Sequence, residues 1–133
     1  MEKIYCLGID VGSTTVKTVI LDNGEIIRTK YERHFSKVKE TVAEQLREIQ
    51  KDFSGDKFKI MITGSAGLGI ANTSGIDFTQ EVYAAFIAVN KTYPDADVVV
   101  ELGGEDAKII YFTGGIDQRM NGICAGGTGS FID

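Results

Sequence analysis

An eight-residue pattern occurs twice in this chain and constrains the fold more than any other feature. The first copy spans residues 10–17 (Asp-Val-Gly-Ser-Thr-Thr-Val-Lys), and the second spans residues 101–108 (Glu-Leu-Gly-Gly-Glu-Asp-Ala-Lys). Each copy runs acid, apolar, glycine, small, two polar residues, small apolar and lysine, and each lies between two apolar stretches of the kind that form strands. The pattern therefore predicts the same strand–turn–strand unit at two places in the chain.

The glycine-rich centre of each copy suits an anion such as phosphate. Glycine lets the backbone approach a ligand, and successive N–H groups in such a turn form an anion-binding nest. Ser13, Thr14 and Thr15 add hydroxyl donors, and the carboxylate of Asp10 can hold Mg²⁺ or its waters. Two such turns facing each other would clasp a triphosphate from both sides. The Walker and dinucleotide-binding glycine patterns are both missing from the sequence. A pair of plain tight hairpins is the alternative interpretation.

The remaining pattern predicts a mixed α/β chain. An Asn-Gly pair at residues 23 and 24 is typical of a hairpin turn and predicts that the first three strands form an antiparallel meander. The helix and strand patterns that follow predict a fourth strand parallel to the first. Helices are expected over residues 38–53, 67–72 and 80–93, and Ser36 is the predicted N-cap of the first helix. Strands are expected over residues 3–9, 15–21, 25–35, 57–63, 76–79, 97–102, 107–112 and 116–120.

A few single residues carry expectations of their own. His34 shares a polar strand face with charged neighbours, so a solvated histidine is expected there rather than a catalytic one. Cys6 shares a strand face with Ile4 and Gly8 and is predicted to lie in the core. Lys17 can either reach a phosphate or pair with a carboxylate. The glycines at 64, 67 and 69 are expected to form a helix-entry loop, and a place beside the bound anion is the alternative.

Composition excludes several classes of protein. Of the 133 residues, 43% are hydrophobic and 25% are charged, which argues against disorder. The net charge of −5 disfavours a nucleic-acid partner. No apolar run is long enough for a membrane span, and the start of the chain lacks a signal-peptide pattern. Two cysteines are too few for a disulfide scaffold, so we expect a reduced, cytoplasmic protein.

The two eight-residue copies resemble the two phosphate loops of the actin, sugar-kinase and heat-shock ATPase superfamily. Residues 120–131 (Met-Asn-Gly-Ile-Cys-Ala-Gly-Gly-Thr-Gly-Ser-Phe) narrow the match. They resemble the cysteine motif of 2-hydroxyacyl-CoA dehydratase activators and benzoyl-CoA reductase-type ATPases, the BadF/BadG/BcrA/BcrD type, and above all the large multidomain activase-related members. The resemblance covers essentially the whole chain. It implies a ribonuclease-H-like α/β domain I over residues 1–94 and the beginning of domain II over residues 95–133, so we expect an N-terminal fragment.

The resemblance also implies cofactors, partners and residue roles. Such activators are homodimers that bind ATP and Mg²⁺ and hold one [4Fe-4S] cluster at the dimer interface. ATP hydrolysis drives a low-potential electron to a CoA-thioester dehydratase or reductase. By residue match, Asp10 falls at the magnesium-associated carboxylate, Glu105 near the attacking water and Cys124 on the first cluster ligand. The cofactor-binding candidates are Gly12, Ser13, Thr14, Thr15 and Lys17 in the first loop and Glu101, Gly103, Gly104 and Asp106 in the second.

The sequence departs from the family pattern at three points. Glu101 stands where the family usually has Asp, and Glu105 stands where it usually has Gln, beside the attacking water. The second cluster cysteine and the adenosine-binding segments are expected beyond residue 133. Two other functions remain open on these residues, a sugar-kinase-type phosphotransferase and a non-catalytic nucleotide-binding module of a larger protein, because a fold alone does not specify a function.

Overall fold

A computed structural model describes residues 3–102, 107–111 and 117–120, and the chain divides into two compact units, Met1–Thr79 and Gln80–Asp133. The first unit contains β1 (Ile4–Val11), β2 (Thr15–Asp22), β3 (Glu25–Arg33), α1 (Val38–Asp52), β4 (Lys57–Thr63), α2 (Leu68–Ser74) and β5 (Asp77–Phe78). The second unit contains α3 (Glu81–Thr92), β6 (Val98–Leu102), β7 (Ala107–Tyr111) and β8 (Asp117–Met120). Every predicted helix and strand among these residues is present at nearly the expected bounds. The predicted domain boundary at residue 94 stays a prediction.

The first unit is built on a five-stranded sheet in the order β3-β2-β1-β4-β5. Strands β1, β2 and β3 form the predicted antiparallel meander, and β4 is added parallel to β1 as expected. This is the strand arrangement of a ribonuclease-H-like sheet. Because β1 and β4 run in the same direction, their carboxyl ends, Val11 and Thr63, lie at the same edge of the sheet.

Helices α1 and α2 pack against one face of this sheet, and the core of the first unit lies between the helices and that face. Alternate residues of β1 and β2 point inward, as the two-residue period of a strand requires. Three aromatic rings, those of Tyr5, Phe53 and Phe58, pack together with centroids 5.2–5.8 Å apart. The buried core comprises Tyr5, Leu7, Ile9, Val11, Val16, Ile20, Val42, Ile49, Ile62 and Ala71.

The opposite face of the same sheet, which we call the open face, carries Ile4, Cys6 and Gly8 on β1. All three residues are exposed. The prediction that Cys6 lies in the core is therefore wrong. The three residues do share a strand face, but the core cluster formed with α1 and α2 lies on the other side of the strand.

Strand β3 turns its polar face toward α1. Ion pairs and hydrogen bonds join the two elements: Arg28–Asp52 at 2.6 Å, Lys30–Glu48 at 3.1 Å and Glu32–Gln45 at 3.2 Å. His34 follows on this inner face and is only 5% exposed, whereas Phe35 beside it is exposed. The prediction of a solvated His34 is wrong because the polar face of β3 is the inner one.

Helix α1 begins without the predicted serine cap. Its N-cap is Lys37, which makes no side-chain capping bond. Ser36 instead has a left-handed backbone with φ of 65°, and its N–H donates to Nδ1 of His34 at 3.0 Å. The backbone N–H of Ser36 therefore binds the His34 side chain, and the Ser36 hydroxyl does not cap α1.

The second unit contains helix α3 and an antiparallel three-stranded sheet in the order β6-β7-β8. Ile110 on the central strand β7 is fully buried. No helix in the described part of either unit is both long enough and apolar enough to span a membrane.

Candidate phosphate-binding site

The first eight-residue copy forms the hairpin between β1 and β2. Asp10 is the strand partner of Lys17, and Val11 is the partner of Val16, so residues 12–15 form the turn. We call these four residues the first turn. It lies at the carboxyl end of β1, which is the edge where the parallel strands β1 and β4 both end.

The second copy forms the hairpin between β6 and β7 with the same register. Glu101 is paired with Lys108, and Leu102 is paired with Ala107, so residues 103–106 correspond to the first turn. Because the acid and the lysine are opposed in both copies, the repeated sequence corresponds to a repeated strand pairing. The predicted site residues Gly103, Gly104, Glu105 and Asp106 lie outside the described residues, and so does Cys124.

Three of the four carbonyl groups of the first turn accept hydrogen bonds from neighbouring N–H groups. The N–H of Gly12 donates to the carbonyl of Thr15 at 2.9 Å, which closes the turn. The backbone N–H of His34 donates to the carbonyl of Thr14 at 3.0 Å. The imidazole Nε2 of the same residue lies 3.0 Å from the carbonyl oxygen of Gly12. The end of β3 therefore holds two of the four turn carbonyls.

Residues 64–69, which include the glycines at 64, 67 and 69 and which we call the third glycine cluster, hold Val11, the residue before the first turn. The N–H of Ala66 donates to the carbonyl of Val11 at 2.9 Å. Gly64 has φ of +104°, and a Cβ built on it would lie 2.2 Å from that same oxygen. Only glycine fits this close approach. Residues 64–67 therefore form the loop that leads into α2, as predicted. They also pack directly against the end of β1, beside the first turn.

The N–H groups at the tip of the first turn have no such partners. Those of Ser13 and Thr14 make no hydrogen bond within the described part of the chain. Ser13 is exposed and Thr14 is half-buried. In a trans peptide the carbonyl and the following N–H point in opposite directions. Because the Gly12 carbonyl is held from one side by His34, the Ser13 N–H points to the other side.

A row of four side chains crosses the open face beside the turn. Successive strand partners are Tyr31 on β3, Lys17 on β2, Asp10 on β1 and Thr63 on β4. The Lys17 Nζ lies 3.4 Å from Oδ2 of Asp10 and 5.9 Å from the Tyr31 ring centroid. Of the two alternatives open for Lys17, the structure therefore has the carboxylate pair.

The chemistry of this row fits a magnesium ion. Mg²⁺ prefers oxygen ligands, keeps several of its waters, and uses one or two protein carboxylates together with substrate phosphates. Asp10 supplies a partly exposed carboxylate. The Oγ1 of Thr63 is buried and has no hydrogen-bond partner among the described residues. No group of three or more His, Cys, Asp or Glu side chains that could hold a metal occurs among the described residues.

Sequence reasoning missed two contributors to this site. The buried His34 was concealed because a strand face carrying Arg28, Lys30 and Glu32 has the composition of a solvated face. Ala66 acts through its backbone N–H, and no side-chain pattern reports a backbone contact. The pairing of β1 with β4 was predicted, and that pairing is what brings the third glycine cluster to the first turn.

The ribonuclease-H-like sheet carries, at the end of β1, a turn whose Ser13 and Thr14 amides have no partner among the described residues. This sheet and turn define an α/β chain of the actin, sugar-kinase and heat-shock ATPase superfamily. The profile of one family in that superfamily, the BadF/BadG/BcrA/BcrD ATPase family, matches residues 7–133. The chain belongs to this family.

Relatives in the family carry specific names. The (R)-2-hydroxyglutaryl-CoA dehydratase activating ATPase of Acidaminococcus fermentans is 32% identical, over 98% of this chain and 52% of its own length. The activator of lactoyl-CoA dehydratase from Anaerotignum propionicum is 34% identical, over 98% of this chain and 52% of its own. The chain therefore spans about half the length of these curated relatives.

A solved structure agrees with the fold. The activator of the 2-hydroxyisocaproyl-CoA dehydratase from Clostridium difficile, with bound ADPNP, superposes with a TM-score of 0.76 at 31% identity. The match covers 97% of this chain and 50% of that one. The α/β fold predicted from the sequence is confirmed, and so is the family.

Proposed function

We propose that this chain is the N-terminal, phosphate-binding part of an ATP-dependent activator of a CoA-thioester dehydratase or reductase. The observation that carries the proposal is the first turn, where the carbonyls of Gly12, Thr14 and Thr15 accept hydrogen bonds. The amides of Ser13 and Thr14 are left without partners among the described residues. A carbonyl facing a phosphate would repel it, so tying the carbonyls back favours an anion.

In this proposal the first turn and the turn of the second hairpin each bind phosphate groups of ATP. The repeated register of the two hairpins supports it, since the same pair of an acid and a lysine flanks each turn. Asp10 would hold Mg²⁺ or its waters. The Thr63 hydroxyl, which has no partner among the described residues, would form a hydrogen bond with one of these waters. The ion supplies charge neutralisation for the phosphates when it is bound.

The finer part of the proposal concerns electron transfer. We assign Cys124 as a ligand of a [4Fe-4S] cluster that the two subunits of a homodimer share in the reduced cytoplasm. We assign Glu105 to the position beside the attacking water. A bound cluster supplies a low-potential electron for the partner enzyme. The support is family membership together with the names of relatives that activate dehydratases of 2-hydroxyacyl-CoA compounds.

The test is a titration of the ¹⁵N-labelled 133-residue chain, followed by NMR, with inorganic tripolyphosphate and with ADPNP, each in the presence of Mg²⁺. We expect the amide signals of Ser13 and Thr14 to move with both ligands, because these two turn amides bind the phosphate chain. Adenosine, which lacks phosphates, is the matched control and should leave these signals in place. Shifts that avoid the first turn altogether would refute the proposal.

A further inference from the structure

We infer that His34 is a positioning residue for the first turn: its imidazole fixes the peptide between Gly12 and Ser13 so that the Ser13 N–H is presented to the phosphate. The inference rests on the proposed function, because it takes the first turn to be the phosphate site. It adds a residue from outside both glycine-rich patterns, on a different strand.

Hydrogen bonding defines the form of the imidazole. Nδ1 of His34 accepts the backbone N–H of Ser36 at 3.0 Å, so Nδ1 carries no proton. The proton of the neutral ring is then on Nε2, which donates to the carbonyl oxygen of Gly12 at 3.0 Å. Each ring nitrogen has one partner, and the ring is almost completely buried. The imidazole is therefore held in one tautomer and one orientation.

The backbone after His34 adopts an uncommon conformation that accompanies this contact. Phe35 and Ser36 both have positive φ, 48° and 65°, although neither is a glycine. Left-handed backbone is costly for residues that carry a Cβ. Here it brings the Ser36 N–H onto Nδ1, so a strained segment coincides with the hydrogen bond that sets the tautomer.

The peptide that His34 holds is one that would otherwise be free to turn. Gly12 has no Cβ to restrict its backbone. If its carbonyl rotated toward the anion, the Ser13 N–H would rotate away, because the two groups point in opposite directions across a trans peptide. The bond from Nε2 to the Gly12 oxygen opposes this rotation. A buried side chain thus determines which group of the first turn the phosphate meets.

Two amide substitutions separate the two bonds of the ring. In His34→Gln, the side-chain NH₂ group lies near the place of Nε2 and can still donate to Gly12. In His34→Asn, the shorter side chain lies near the place of Nδ1 and can still accept from Ser36, but it does not reach Gly12. Each variant loses one neutral hydrogen bond, so both should lose similar stability, and only the Asn variant should lose the positioning contact.

The experiment measures tripolyphosphate affinity with Mg²⁺ by NMR titration of the 133-residue chain and its two variants. We expect His34→Asn to weaken the dissociation constant by roughly five- to tenfold, the usual effect of one hydrogen bond, and His34→Gln to stay within about twofold of wild type. The Ser13 amide shift on binding should shrink in the Asn variant alone. In the wild type, the imidazole ¹⁵N spectrum should show the proton on Nε2.

The outcomes distinguish this inference from the proposed function. Wild-type binding at the first turn with equal affinity in both variants would overturn the role of His34 and leave the phosphate site standing. A proton found on Nδ1 in the wild type would overturn it as well. Wild-type chain that binds no tripolyphosphate at the first turn would overturn the phosphate site, and the role of His34 with it. Val42→Ala, a core lesion in α1, is the control for lost stability and should leave the affinity unchanged.

Discussion

Lys17 and Asp10 oppose each other across the first hairpin, with the lysine Nζ 3.4 Å from the carboxylate Oδ2. Their side chains are 45% and 39% exposed, and exposed ion pairs of this kind contribute between zero and about 1 kcal/mol to stability. The Asp10 carboxylate therefore contributes little to the stability of the fold. It remains accessible at the end of β1, next to the first turn.

The first prediction follows from this accessibility. Asp10→Asn should abolish the strengthening of tripolyphosphate binding by Mg²⁺ while changing the free energy of unfolding by no more than about 1 kcal/mol. In the proposed full-length activator, ATP turnover should fall by about 100- to 1000-fold, the effect of losing one preorganised electrostatic contact. Calorimetric titrations with and without Mg²⁺, and urea denaturation, measure the two quantities.

The matched control for this prediction is Lys17→Met. It removes the same ion pair but keeps the Asp10 carboxylate, so the strengthening by Mg²⁺ should survive. An Asp10→Asn variant that still responds to Mg²⁺ as wild type does would show that the ion is held elsewhere.

The second prediction concerns the close approach of the third glycine cluster to β1. Gly64→Ala should destabilise the chain by about 3 kcal/mol or more, because the new Cβ would lie 2.2 Å from the Val11 oxygen at a φ of +104°. Gly55→Ala separates the two causes, since Gly55 has φ of +87° but nothing within 4 Å of a Cβ. It should cost only about 1–2 kcal/mol, the price of the left-handed backbone alone. Equal losses in urea denaturation would contradict the steric argument.

The third prediction concerns a buried amide that links α1 to the sheet. Gln45 is 1% exposed, accepts the hydroxyl of Thr18 at 2.9 Å, and donates to the Val16 carbonyl at 3.3 Å and to Glu32 at 3.2 Å. Gln45→Leu should lower the free energy of unfolding by about 1–3 kcal/mol, because buried polar partners are left unpaired. Chemical denaturation of purified variants measures the change.

A double-mutant cycle tests the contribution of the Thr18 partner. Replacing the hydroxyl as well, in Thr18→Val with Gln45→Leu, removes one of the unpaired groups. The double variant should therefore be less destabilised than the sum of the two single variants. Strict additivity would indicate that the Thr18–Gln45 bond contributes nothing of its own.

The sheet of the first unit was predictable because its signals are local. The Asn23-Gly24 turn fixes the meander. An apolar run marks β1, β-branched residues mark β2, and two-residue alternation marks β3. The repeat likewise gave the correct location of both hairpins, and the acid and the lysine of each copy are opposed in the structure. These local patterns therefore predicted the meander and the two hairpins correctly.

What the sequence did not reveal is which side of each strand is covered. The apolar residues of β1 occur on both faces, so the face that Cys6 shares with Ile4 and Gly8 looks like a core face, although α1 and α2 pack against the other one. In β3 the inner face is polar because α1 presents Glu48 and Asp52 to it, and this pairing across distant elements concealed the burial of His34. Both errors arise from tertiary packing, which residue spacing does not encode.

The last prediction concerns the two cysteines. In the proposed full-length homodimer, Cys124→Ala should abolish the proposed iron–sulfur cluster and leave nucleotide binding largely intact. Four thiolates hold a [4Fe-4S] cluster, and in a twofold site one substitution removes a ligand from each subunit at once. The phosphate-binding turns lie before residue 109 and are untouched by the change. Anaerobic reconstitution, iron determination and visible absorbance measure the cluster, and an ADPNP titration measures the nucleotide site.

Cys6→Ala is the matched control for that experiment. Because Cys6 lies exposed on the open face rather than in the core, its substitution should change the free energy of unfolding by less than about 0.5 kcal/mol and leave the iron content unchanged. Full iron content in the Cys124 variant, or loss of iron in the Cys6 variant, would overturn the assignment of the cluster ligand. Loss of ADPNP binding together with the iron in the Cys124 variant would contradict the separation of the nucleotide and cluster sites along the chain.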